Sequence, residues 1–118
     1  MKLIIDRDKW SRGNDGNLLL TPDGKCCAMG FYLLATGVDP IRILGKGTLE
    51  TLDVLPDERF GVVVADFDGT PELRWHRVTD DIIYHNDKPE LRAAERETTL
   101  TQLFSAVGVE LSFVGGGQ

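Results

Sequence analysis

The chain has 118 residues, 42% of them apolar and 27% charged, the balance of an ordinary globule with one core. Its net charge of −6 is uneven: residues 1–59 carry 8 basic and 9 acidic side chains, and residues 60–118 carry 5 and 10. Beyond Lys2, Arg7, Lys9 and Arg12 there is no basic footprint, which argues against direct nucleic-acid binding, and no apolar run approaches the roughly 20 residues of a membrane span.

Charge arrives by Asp6, so no export signal is expected and the expected compartment is the cytoplasm. The two cysteines, Cys26 and Cys27, are adjacent, and a disulfide between neighbours is strained, which fits a reducing compartment.

In chain order, Lys2–Ile5 reads as a short strand, and Gly13-Asn14-Asp15-Gly16-Asn17 as turn chemistry. Leu18–Leu20 is expected to be a second strand. The run from Thr21 to Gly37 is the stretch around which the fold is organised: Pro22-Asp23-Gly24 opens it, Asp23 or Gly24 caps a helix, and Gly37 ends it. This helix is apolar on every side, which predicts burial on every side. Gly30 falls in its middle, where glycine costs roughly 1 kcal/mol relative to alanine, so a second backbone is expected to approach there. Asp39-Pro40 predicts a short capped helix through Leu44.

Residues 49–59 are irregular. Phe60–Ala65 and Leu73–Val78 read as strands joined by a hairpin at Asp68-Gly69. Thr79–Asn86 reads as a short helix, with a strand as the alternative. A long helix is expected from Pro89 to Val107, with Ala93, Leu100, Leu103, Phe104 and Val107 on one face. Arg96 and Glu97 share that face, and charges in such a place predict a paired, half-buried salt bridge. Val109–Phe113 alternates as a closing strand, and 115–118 is expected to be a flexible tail. The pattern predicts a single α+β domain over 1–114. A mainly antiparallel sheet of N-terminal, hairpin and C-terminal strands would pack under the buried central helix and the long C-terminal helix.

Three groups of residues bear on chemistry. Gly61 to Thr70 looks like the first motif of haloacid-dehalogenase-like phosphatases, an apolar strand ending in Asp-x-Asp-Gly-Thr. The resemblance implies Asp66 as nucleophile and Asp68 as proton carrier. That fold needs a large parallel sheet and a helix directly after the motif, and Pro71 followed by strand-like residues favours a hairpin turn. Cys26 and Cys27 stand at the start of a helix, where a thiolate is favoured, and His76 or His85 could complete a Cys-His pair or a zinc site. Against this, adjacent cysteines rarely ligate one tetrahedral metal, and both suit a core as small hydrophobes. Asp66, Asp68, Thr70 and Glu72 lack the glycine and glutamate positions of a calcium loop.

The chain also resembles a loose group of small phage and prophage proteins. The residues that carry this are Gly24-Lys25-Cys26-Cys27-Ala28-Met29-Gly30-Phe31 early, then Asn86-Asp87, Arg96-Glu97, Leu100, Leu103-Phe104, Gly108-Val109-Glu110 and Phe113-Val114. Aligned on Gly30-Phe31, Cys27 meets a family cysteine and Ala28 replaces the other. The resemblance spans both ends but not 40–78, and implies a mobile-element origin.

The expected function is that of a non-enzymatic protein-binding module, a phage-encoded antagonist of a host defence of the anti-CRISPR type, with no cofactor and no metal. Asp66, Asp68, Glu72, Asp80, Asp81 and Asp87 are the expected partner-binding residues, meeting a basic surface that otherwise holds nucleic acid. The alternatives are a metal-dependent phosphatase-like enzyme using Asp66 and Asp68, or a virion-related structural or regulatory protein.

Overall fold

The structure, a computed structural model, describes every residue except Asp15, Glu50, Thr51, Asp53, Asp66, Gly117 and Gln118. The elements are β1 (Lys2–Asp6), α1 (Ala28–Ala35), α2 (Pro40–Ile43), β2 (Gly61–Ala65), β3 (Pro71–Trp75), α3 (Val78–Asp87), α4 (Ala93–Ser105) and β4 (Glu110–Val114). A single 3₁₀ turn, Arg7–Lys9, follows β1.

The domain is α+β, but its strands form two separate pairs rather than one mainly antiparallel sheet. β1 and β4 pair in parallel, with Leu3 opposite Leu111 and Ile5 opposite Phe113. α4 returns along β4 and Gly108 turns the chain, so both strands start at one end, where Glu110 N donates to Met1 O. β2 and β3 form an antiparallel hairpin of their own. Only its base joins the core, through Phe60 and, half-buried, Trp75; it offers no continuous apolar face for β1 or β4 to extend.

α1 is buried over most of its surface but not on every side: Ala28, Met29, Gly30, Tyr32 and Leu33 are buried, Phe31 and Leu34 half-buried, and Ala35 at its end is exposed. It packs on β1 and α3, and each fully buried large side chain contributes about 1.5–3 kcal/mol. Tyr32, Phe60 and Phe104 form an aromatic knot, with Tyr32–Phe60 centroids 4.7 Å apart and Phe60–Phe104 6.2 Å apart. The Tyr32 hydroxyl donates to Asp57, whose carboxylate also accepts from Arg59 N and Phe60 N, so the hairpin base is tied to α1. At Gly30 an added Cβ would sit 1.8 Å from Leu19 O, the close backbone approach that a mid-helix glycine implies.

Four boundaries differ from the sequence expectation. α1 begins at Ala28, because Thr21–Lys25 closes a turn on itself through Thr21 N to Lys25 O and Gly24 N to Thr21 O. Leu18–Leu20 forms no strand beyond an isolated bridge of Leu20 with Leu44: Leu19 N donates to Lys46 O, Leu20 O accepts from Gly45 N, and Leu18 O accepts from Cys27 N. β3 occupies Pro71–Trp75, since the chain beyond it is taken by α3, whose Val78 N donates to His76 Nδ1. α4 begins at Ala93, and Ala93 is exposed rather than on the core face. The short helices at Pro40–Ile43, with Asp39 accepting from Ile41 N, and at Val78–Asp87 match the expectation.

Candidate functional site

The most exposed regular element is the hairpin. The register puts Val63 opposite Leu73, with Ala65 and Pro71 farther along the same face; Val62, Val64, Arg74 and Glu72 share the other. Val63 is 69% exposed, Leu73 44%, and Phe67 in the connecting turn is fully exposed. Apolar side chains gathered this way on a small domain mark a contact surface more often than scattered ones do.

The expected acidic residues fall around this arm and along α3. Asp68 sits in the hairpin turn, where it accepts from Thr70 N; the Thr70 hydroxyl and N–H hold its carboxyl below the ordinary value. Glu72 lies on β3 and pairs with Arg74 at 2.8 Å. Asp80 and Asp81 occupy the exposed first turn of α3, where the helix dipole favours negative charge. Glu72 and Asp80 line one cleft of about 520 Å³, together with Leu49, Leu52, Leu55 and Trp75. Asp87, at the far end of α3 and about 10 Å from Asp80 by helical rise, is turned inward: its carboxylate accepts from Asn17 Nδ2 and Asn86 Nδ2. Asp66 lies outside the described residues.

After the apolar strand that looks like a phosphatase motif, the chain turns and comes back as β3, not as a helix, and the parallel pair β1–β4 lies elsewhere. The geometry that the phosphatase resemblance requires is therefore not met. Cys26 and Cys27 are both buried free thiols. Burial pushes the Cys27 thiol up to about 12 and raises that of Cys26, the reverse of an activated thiolate. Among the described residues, no group of three or more His, Cys, Asp or Glu is placed to hold a metal ion.

Buried polar side chains do something that sequence reasoning only partly anticipated. Asn86 is fully buried, accepts from Trp10 Nε1 at 2.7 Å and from Ala28 N at 3.0 Å, and donates to Ser11 O. Arg96 is buried as well, but it pairs with main-chain carbonyls of His85, Lys88 and Leu91 rather than with a carboxylate. Those carbonyls turn in from residues 85–91, which is why α4 starts late. Glu97 forms the expected half-buried salt bridge, bidentate to Arg7 at 2.7 and 2.8 Å. Asn86, Asp87, Arg96 and Glu97 thus hold the fold together. Among the described residues, no helix is long and apolar enough to cross a membrane.

Comparison with protein-family models, with characterised proteins and with solved structures found no match to this chain.

Proposed function

We propose that the chain is a non-enzymatic protein-binding module that docks through its hairpin arm and the acidic first turn of α3. The observation that carries this reading is the hairpin: Val63, Leu73 and Phe67 stand exposed beside Asp68. Apolar contact supplies affinity, and Asp68, Asp80 and Asp81 steer the approach of a basic surface and fix its register. A surface that otherwise holds nucleic acid has that charge. With the phage-like sequence pattern, this supports an antagonist of a host defence system of the anti-CRISPR type, acting in the host cell by covering such a surface.

Affinity capture from a host lysate tests the reading with three baits: the wild type, Phe67→Ser, and Asp80→Lys with Asp81→Lys. A host protein held by the wild type and lost from both variants is the expected result, with an association rate that falls as salt rises. Equal retention by all three baits would place the contact elsewhere. Magnesium-dependent release of phosphate from an ester by the purified protein would overturn the non-enzymatic reading altogether.

A further inference from the structure

Among the described residues, the outer side of β3 is a strand edge with no strand paired to it. His76 N donates to Phe60 O, so residues 60 and 76 are a hydrogen-bonded pair of the antiparallel ladder. Bonded and non-bonded pairs alternate, which makes Val62–Arg74 and Val64–Glu72 the next bonded pairs. The main-chain groups of Leu73 and Trp75 therefore point away from β2. The same alternation sends Gly61 N outward on β2, and there it donates to Asp57 O at 2.7 Å. Among the described residues, nothing takes the outward groups of Leu73 or Trp75. A cleft of about 520 Å³ runs along β3, with Glu72, Leu73, Arg74 and Trp75 on its strand side and residues of the 49–56 segment and the first turn of α3 completing its lining. Pro71 blunts the first position of this strand, and the charges of Glu72 and Arg74 guard it against any partner that does not complement them. A two-stranded ribbon with little packing is marginal by itself, and three or more strands are ordinarily needed.

We propose that this edge pairs with a second copy of the chain, β3 against β3, antiparallel about a twofold axis at Leu73. The sequence Glu72-Leu73-Arg74 is self-complementary in that arrangement. Glu72 of each copy falls opposite Arg74 of the other, and Leu73 meets Leu73 on the opposite face. The Leu73 pair exchanges both main-chain bonds, and each Trp75 N–H reaches the carbonyl of the second copy's Pro71, which has no N–H to return. The result is a four-stranded sheet, β2–β3–β3–β2, isologous as a twofold interface must be. β2 offers no such register: Val62-Val63-Val64 carries no charge, and Asp57 already covers its base. The dimer needs no host partner and does not depend on the docking reading.

Sedimentation velocity with charge-swapped variants tests the proposal. The wild type is expected to pass with rising concentration from 13.1 kDa to twice that mass. Glu72→Arg places arginine opposite arginine, and Arg74→Glu places glutamate opposite glutamate, so each alone is expected to weaken self-association at least ten-fold. Mixed in equal amounts, the two variants have complementary edges and are expected to form a heterodimer as tight as the wild-type dimer. That recovery distinguishes pairing across the axis from any effect on the Glu72–Arg74 contact within one strand. A wild type that stays at 13.1 kDa up to millimolar concentration overturns the proposal. So do single variants that dimerise like the wild type, or a mixture that stays monomeric while each variant keeps the wild-type circular dichroism.

Discussion

Asn86 Oδ1 accepts the main-chain N–H of Ala28 at 3.0 Å, so a side chain near the end of α3 caps the start of α1 across 58 positions of sequence. Cys27, the residue before α1, makes no side-chain cap of its own. The same oxygen takes the Trp10 indole, and the amide nitrogen holds Ser11 O, so one side chain of α3 fixes both the 10–11 segment and the start of α1.

Asn86→Leu fills a similar volume but leaves those buried groups without partners. Each unsatisfied group costs about 1–3 kcal/mol, so a loss of about 3 kcal/mol or more is expected in urea unfolding. A loss below about 1 kcal/mol would show that water or a neighbour replaces the amide.

Gly30→Ala gives a test of sign. At an open mid-helix site this change stabilises by about 1 kcal/mol. Here the new Cβ would lie 1.8 Å from Leu19 O, so destabilisation by about 3 kcal/mol is expected. A raised melting temperature would mean that the Leu19 backbone is not held against the helix.

Arg7 holds the Glu97 carboxyl below its ordinary value of 4.5, chiefly through the hydrogen-bonded pair. The folded value is depressed, so the pair's contribution is complete above that ordinary value and is lost as the pH falls through the lower folded value. Glu97→Gln is expected to cost about 1 kcal/mol at neutral pH, the two side chains being partly exposed. The difference from wild type should close in strong acid. Chemical unfolding at a series of pH values reads this directly; a gap that stays constant down to strong acid would contradict it.

Burial and the raised thiol of Cys27 predict that neither cysteine reacts with iodoacetamide at mildly alkaline pH in the folded protein. Both should react in urea. Mass spectrometry of the quenched sample gives the count, and rapid native labelling of Cys27 would refute the packing described for α1.

Local signals in the sequence are decisive where one residue sets the geometry. Asp39-Pro40 specifies a cap and a first turn, and Asp68-Gly69 specifies a reversal, so α2 and the hairpin were legible. Which strand pairs with which was not. Lys2–Ile5 and Val109–Phe113 carry the same alternation whether their partner is parallel, antiparallel or the hairpin. Leu18–Leu20 has strand composition, yet its main chain is divided among Lys46, Gly45 and Cys27, none of them in a strand. Arg96 was recognised as a charge on an apolar face, but carbonyl groups leave no mark in the sequence, so its true partners could not be read. The acidic residues were visible as a set. Only coordinates separate Asp87, tied to two asparagines, from Asp80 and Asp81 on the surface.

The parallel pairing of β1 with β4 also sets a timetable. Lys2 meets Glu110, and Arg7 reaches Gly115 across 108 positions, so β1 can pair only after β4, more than 100 residues later, has been made. Until then Leu3 and Ile5 lack their cross-strand neighbours Leu111 and Phe113. Contacts this distant make for slow, late folding, because the closure entropy is lost before any strand pairing repays it. A chain stalled before Glu110 would hold every core residue but Leu111, yet leave β1 without its partner strand. The unpaired edge of β1 in such a fragment is the kind of transiently exposed surface that favours misassembly.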